Sequence, residues 1–221
     1  MKKILAIAPH ADDEIIGLGG TLLKHVEQDD EVYVCIATKG VEPLFSKAFV
    51  EQLRGETINC HKILGVKKTF FLEFPSVMLE SIPRHELNAS MMNVFNEVKP
   101  NIVYIPHFGD MQKDHALVAE SAMVCIRPKY DYKVTGVYAY ETLSETEWNV
   151  PHVANAFIPQ RYVDISETID KKLQLMTCYK SQIAEFPNAR SIEAIETLAK
   201  YRGATVGVKA AEAFAVVREI K

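Results

Sequence analysis

Short, nearly continuous apolar runs alternate along this chain with longer stretches in which apolar side chains recur every third or fourth position. The first pattern suits a strand buried on both faces, the second a helix with one buried stripe. Lys3–Pro9 is accordingly predicted as a first strand, and Asp13–Glu27 as a first helix with Ile15, Leu18, Leu22, Leu23 and Val26 on its apolar side. Glu31–Thr38 reads as a second strand, Ser46–Leu64 as a helix closed by Gly65, and Lys68–Phe74 as a third strand. Arg84–Val98 is helical up to Lys99-Pro100, because the residue before a proline is disfavoured in helical backbone. Asn101–Pro106 is a fourth strand, His115–Ile126 the helix behind it, and Val134–Glu141 a fifth strand. This rhythm implies an α/β fold, a Rossmann-like and mostly parallel sheet with helices on both faces.

Beyond Leu143 the rhythm loosens. Phe157–Ile165 is expected as an edge strand, since Pro159 has no N–H to donate to a ladder. Ile169–Tyr179, Ile192–Tyr201 and Ala210–Glu219 are expected as amphipathic helices. No stretch has the composition of a linker, so 1–221 is expected to be a single domain. Its core would be 1–142, with 143–221 packed on it as an edge strand and helices.

Composition removes several functional classes. At 221 residues, 48% hydrophobic and 24% charged, the chain has the balance of a globular domain. A net charge of −4 disfavours a nucleic-acid partner. No run approaches the ~20 apolar residues that span a bilayer. The apolar run Ile4–Ala8 is shorter than the roughly 7–15 residues of a secretory h-region. Cys35, Cys60, Cys125 and Cys178 form no CxxC pair and read as reduced core residues of a cytoplasmic protein. The expected partner is a small molecule; self-association into a homo-oligomer stays open.

The chemistry is concentrated where the first strand ends. His10, Asp12, Asp13 and Glu14 bring one imidazole and three carboxylates together at a strand-to-helix junction. Carboxylates at that density repel one another unless a cation or a proton relieves them. A second cluster, His107, Asp110, Gln112, Asp114 and His115, follows the fourth strand. In the doubly wound order 3-2-1-4-5 those two loops are neighbours at the switch point, where ligands bind beyond the strand C-termini. Two histidines and one carboxylate form a standard catalytic zinc set, and His10, Asp13 and His115 would supply it. Asp12 is then free to act as general base on a water beside the metal, and Asp114 to orient an imidazole.

Pro9-His10-Ala11-Asp12-Asp13-Glu14, with Asp114-His115 about a hundred residues on, resembles the motifs of the LmbE/PIG-L family of zinc-dependent N-deacetylases. Leu64-Gly65-Val66, Tyr140-Glu141-Thr142, Ser181-Gln182, Arg202-Gly203 and Glu212-Ala213-Phe214 fit the same family in order. The resemblance implies that His10, Asp13 and His115 hold Zn2+ and that Asp12 is the base; Fe2+ or another divalent metal would suit the same set. It further implies that the substrate is an N-acetylated amino sugar or its conjugate, hydrolysed to amine and acetate. Ala11 departs from the family's usual proline, and Gln112 stands where many members have a histidine. Gln112 can donate a hydrogen bond but cannot transfer a proton at neutral pH. That leaves His107, Lys113 or Asp12 itself, protonated in the first step, to serve as the acid.

The remaining polar residues have two readings each. Glu14 is structural or supports the site; Asp110 supports it or forms a turn beside Gly109; His107 lines the pocket or packs. Arg54 contacts a sugar or is a solvated helix charge, and Tyr140 and Glu141 line the substrate side or do not. His25, His61, His85 and His152 read as surface groups, and Trp148 anchors its loop or stacks on a sugar ring. Gly17-Leu18-Gly19-Gly20 is not a phosphate loop, because Leu22 occupies the third glycine position of GxGxxG. The rival functions are a non-catalytic nucleotide- or sugar-binding module and a two-metal phosphoesterase.

Overall fold

A computed structural model describes residues 1–220. The elements run β1 (Lys3–Ala8), α1 (Asp13–Glu27), β2 (Glu31–Lys39), α2 (Lys47–Leu64), β3 (Lys68–Pro75), α3 (Arg84–Val98), β4 (Ile102–Pro106), α4 (Lys113–Cys125) and β5 (Gly136–Tyr140). Then come β6 (Arg161–Asp164), α5 (Ile169–Met176), α6 (Ile192–Val206) and β7 (Ala211–Glu219). One seven-stranded sheet results, in the order β3-β2-β1-β4-β5-β7-β6. Its first five strands are parallel, as the βα rhythm requires.

Helices cover both faces, so each parallel strand contributes to two apolar layers. In β1, Ile4, Ala6 and Ala8 face the layer beneath α1, α2 and α5, whereas Leu5 and Ile7 face the layer beneath α3 and α4. All five side chains are fully buried, which for the larger ones contributes about 1.5–3 kcal/mol each. Helix α1 packs so closely that a Cβ on Gly17 would come within 2.3 Å of the Tyr140 ring. Close helix–sheet contact therefore accounts for that glycine.

The C-terminal third departs from expectation at one element. Ala210–Glu219, read as an amphipathic helix, is instead β7, which lies antiparallel between β5 and β6. Its first four residues are buried between these neighbours. In Ala213-Phe214-Ala215-Val216-Val217 the apolar residues suit either period, and pairing on two sides decides for the strand. The edge-strand reading of 157–165 survives as the shorter β6, the last strand of the sheet.

Helix α1 is not continuous. Leu18 leaves helical backbone at φ −147°, and two buried side chains from the C-terminal third fill the break. Glu212 accepts from the Gly20 and Thr21 amides at 2.9 and 2.7 Å, and Lys172 donates to the Ile16 carbonyl at 2.8 Å and to Glu212 at 2.6 Å.

Two histidines read as surface groups are not. His61 is 3% exposed, and His25 is half-buried, bonded to Asp30 and Tyr104; His85 and His152 are exposed. Trp148, expected to anchor its loop, is instead 66% exposed. All four cysteines are free thiols, three of them buried. Among the described residues no helix is long and apolar enough to cross a membrane.

Candidate active site

Strands β1 and β4 are adjacent, so the loops after them meet at the C-terminal edge of the sheet. The first loop is pinned where it leaves β1: the Thr38 amide and hydroxyl donate to the Pro9 carbonyl at 3.0 and 2.8 Å. The second loop ends at α4, which begins earlier than expected, at Lys113, and so carries Asp114 and His115 in its first turn.

His10, Asp13 and His115 converge at this junction. One potential ligand atom from each lies within 4.8 Å of the other two. Asp13 Oδ2 accepts from the His10 amide at 2.9 Å and lies 3.3 Å from His10 Nδ1 and 3.4 Å from His115 Nε2. The other imidazole nitrogens are held from outside. Asp114 accepts from His10 Nε2 at 3.0 Å, and Asp110 from His115 Nδ1 at 2.7 Å. Asp114 is itself fixed by the Val77 amide, and Asp110 by the Thr146 hydroxyl. The inward atoms are thus His10 Nδ1, Asp13 and His115 Nε2, the carboxylate-backed arrangement usual for metal-binding histidines.

Buried polar atoms normally find partners. Here Asp12 Oδ1, Asp13 Oδ1 and His115 Nε2 have none, although all three residues are fully buried. Asp13 and His115 belong to the three-residue group above, their unmet acceptors suit a divalent cation, and two histidines with one carboxylate are a donor set that zinc accepts.

Asp12 is set apart by its backbone. Its φ of 112° is in the left-handed range that non-glycine residues avoid, at a cost of about 1–3 kcal/mol. From that conformation its carbonyl accepts the Ile15 and Ile16 amides that start α1. Asp12 Oδ2 accepts from Arg190 Nη1 at 2.5 Å, and Arg190 is steadied by Ser144 Oγ at 3.0 Å.

The charges are strongly interdependent. Burial pushes the Asp12 carboxyl well above its ordinary value; Arg190 opposes this, and Asp13 and Glu14 add to it. Burial alone would raise Asp13 too, but His115 and His10 outweigh it and hold Asp13 well below the carboxylate range. For His10, burial works against the charged form, yet the hydrogen bonds to Asp114 and Asp13 prevail and push it up to about 10.

A cavity of about 210 Å³ opens beside the cluster. Its lining combines the polar residues His10, Gln112, Glu145 and Arg190 with the apolar Phe45, Phe49, Leu53 and Phe71. Arg54 also lines it, stacked 3.6 Å above the Phe71 ring and paired with Glu73. Burial holds the Glu145 carboxyl above its usual value.

Of the residues singled out in the sequence, His10, Gln112 and Arg54 line the cavity, whereas Asp12, Asp13 and His115 are fully buried and do not, and several others are also absent from the lining. Tyr140 is fully buried and donates to the Ile7 carbonyl at 2.8 Å, while Glu141 forms a two-pronged pair with Arg202. His107 Nε2 lies 3.0 Å from the Asn155 carbonyl, and Lys113 is exposed. Glu14 is fully buried behind the cluster. Conversely, Arg190 and Glu145 were not found by sequence reasoning. The nearest signal to Arg190 is Ser181-Gln182, of which Gln182 also lines the cavity.

Known proteins resemble this chain in sequence and in fold. The diacetylchitobiose deacetylase of Thermococcus kodakarensis is 27% identical over 96% of this chain and 82% of its own length. The conserved protein TT1542 of Thermus thermophilus superposes with a TM-score of 0.81 at 25% identity, covering 100% of this chain and 97% of that one. A hydratase, GalB of Pseudomonas putida, shares the fold with a TM-score of 0.76 at 20% identity, covering 100% and 98% of the two chains. Residues 5–126, which carry both acid/histidine clusters, match the family model PIG-L, GlcNAc-PI de-N-acetylase, and the chain belongs to that family.

Proposed function

We propose that the protein is a zinc-dependent hydrolase that removes the acetyl group from an N-acetylated amino sugar, either a GlcNAc-type glycoside or a conjugate. One observation carries this reading: a His/Asp/His cluster, with Asp13 and His115 fully buried and holding orphaned atoms, adjoins a second carboxylate, Asp12, whose free oxygen is also unpartnered. His10, Asp13 and His115 would hold the ion. When bound, zinc supplies a Lewis acid that makes a nearby water acidic and polarises the acetamide carbonyl.

Asp12 takes a proton from the attacking water through Oδ1, while Arg190 on Oδ2 stabilises the ionised carboxylate that this requires. The N–H of Gln112 donates to the oxygen on which negative charge develops. The protonated Asp12 then returns its proton to the departing nitrogen, so that water and amide become acetate and free amine. His107 is engaged by the Asn155 carbonyl and Lys113 is exposed, so neither is given that proton transfer. Asp110 and Asp114 orient the two imidazoles. The polar residues of the lining suit a sugar's hydroxyls, Arg54 a ring substituent, and the aromatic residues an apolar group attached to the sugar. The name of the T. kodakarensis relative supports an amino-sugar substrate. Only one three-ligand cluster occurs among the described residues, which favours this reading over a two-metal phosphoesterase.

Acetate release measured across a panel of N-acetylglucosamine derivatives tests the proposal. Acetate and primary amine appearing in equal amounts, dependent on added zinc, is the expected result. Turnover without acetate, such as water addition to a double bond, would refute it.

A further inference from the structure

Behind the candidate site lies a second, fully enclosed cluster that the reaction as described does not use. Glu14 is 0% exposed, and three donors converge on its carboxylate. Oε1 accepts from Tyr179 Oη at 2.5 Å and from His61 Nε2 at 3.0 Å, and Oε2 accepts from the Asp12 amide at 3.1 Å. His61 is fixed in turn by Thr69 Oγ1, 2.7 Å from its Nδ1. Tyr179 is 0% exposed and His61 3%. These groups come from four places: α1, α2, β3 and the turn after α5.

What the cluster holds is the least favourable backbone in the site. Asp12 has φ 112° and no glycine to excuse it. Such conformations persist only where surrounding contacts over-determine them. The amide that Glu14 grips belongs to the strained residue itself, and swinging it out of this conformation would turn the Asp12 carboxylate away from Arg190. A buried carboxylate also stays in place only if its lone pairs are met, and Tyr179 and His61 meet them.

We infer that His61 and Tyr179 are positioning residues for the reaction: by clamping Glu14, they hold the strained backbone of Asp12 so that its carboxylate faces the metal cluster. The inference rests on the reading of Asp12 as the base. It concerns geometry and involves no proton transfer along the chain His61–Glu14–Asp12. The sequence left His61 looking like a helix-surface residue, and nothing near Tyr179 suggested a contact with Glu14.

The experiment uses the full-length, zinc-loaded protein with the variants Glu14→Gln, Tyr179→Phe, His61→Leu, His61→Gln and Asp12→Asn. Expected are falls in kcat of about a hundredfold for Glu14→Gln and about tenfold for Tyr179→Phe and His61→Leu, with KM within threefold of wild type. His61→Gln keeps an N–H donor for Glu14 and is expected to restore kcat to within threefold. A readout that needs no turnover accompanies these: the Asp12 amide should lose hydrogen-exchange protection in Tyr179→Phe and His61→Leu but keep it in His61→Gln. Combined with Asp12→Asn, Glu14→Gln should lower the residual rate no further, because positioning an absent base gains nothing. If kcat and Asp12 amide protection stay at wild-type levels in Tyr179→Phe and His61→Leu while Asp12→Asn is inactive, the positioning role is wrong and the base assignment stands. If Asp12→Asn turns over like wild type, the base assignment fails and this inference with it.

Discussion

At its N-terminus α1 carries buried Asp12, Asp13 and Glu14 into a cluster with buried His115 and the partly exposed His10 and Arg190; at its midpoint, where Leu18 breaks the helix, it meets buried Lys172 and Glu212. Both regions bury charge within one helix, yet they balance it differently. At the midpoint both oxygens of Glu212 and the ammonium of Lys172 are bonded, to each other and to the amides and carbonyl freed by the break. At the N-terminus Asp12 Oδ1, Asp13 Oδ1 and His115 Nε2 are left without partners. A closed ion pair of this kind joins chain segments, whereas an open cluster stores unmet ligand capacity. The number of buried charges does not separate structure from function here, but the atoms left unsatisfied do.

The comparison can be broken most sharply at the open end. Asp12→Asn is expected to lower kcat by about a thousandfold, within the range for losing a general base, with bound zinc unchanged after dialysis. His115→Ala should lose the zinc as well, read by metal analysis of the purified protein. An Asp12→Asn variant that turned over normally would remove the distinction altogether.

At the closed end the effect should fall on stability. Lys172→Met leaves Glu212 buried without its countercharge, and a loss of about 3–5 kcal/mol is expected by urea titration. The folded fraction should keep kcat within a few-fold of wild type. A large loss of turnover with little change in stability would place this pair in the reaction instead.

A smaller effect separates the regions by pH. In the metal-free protein His10 is pushed up to about 10, above its ordinary 6.5. A divalent metal held by His10 would have to displace that proton, so the apparent affinity for zinc is expected to rise about tenfold per pH unit from 6.5 towards 10. The sign for folding is opposite. A raised pKa stabilises the metal-free protein fully below pH 6.5, and this contribution is lost as pH rises through 10. Calorimetric titration in buffers of different ionisation heats measures the proton released, and denaturation of the metal-free form measures the stability.

The smallest expected change lies at Arg54 in the cavity lining. Arg54→Ala should raise KM about three- to tenfold with kcat within twofold, since it removes binding common to the ground and transition states. A fall in kcat instead would bring Arg54 into the chemistry.

Much of this was legible from residue order. The five parallel strands showed as apolar runs, and the His10-to-Asp13 and Asp114-His115 spacings marked the loops that meet above β1 and β4. Strand β7 was not legible, because its alanines and valines suit either period and only pairing with β5 and β6 makes it a strand. Arg190 was not legible either, since 178 residues separate it from Asp12 and nothing in its neighbourhood encodes the contact. His61 looked like one more polar residue on a long helix until Glu14 was brought against it.

Local periodicity and motif spacing determined the βα framework and the identities of the acids and histidines, because burial pattern and ligand type are properties of short segments. The tertiary structure decided which nitrogen of each imidazole points inward, which cation meets Asp12, and what holds Asp12 in a backbone conformation it would not choose. Those outcomes depend on hydrogen bonds a few ångströms long between residues far apart in the chain. Only the closed fold brings such partners together.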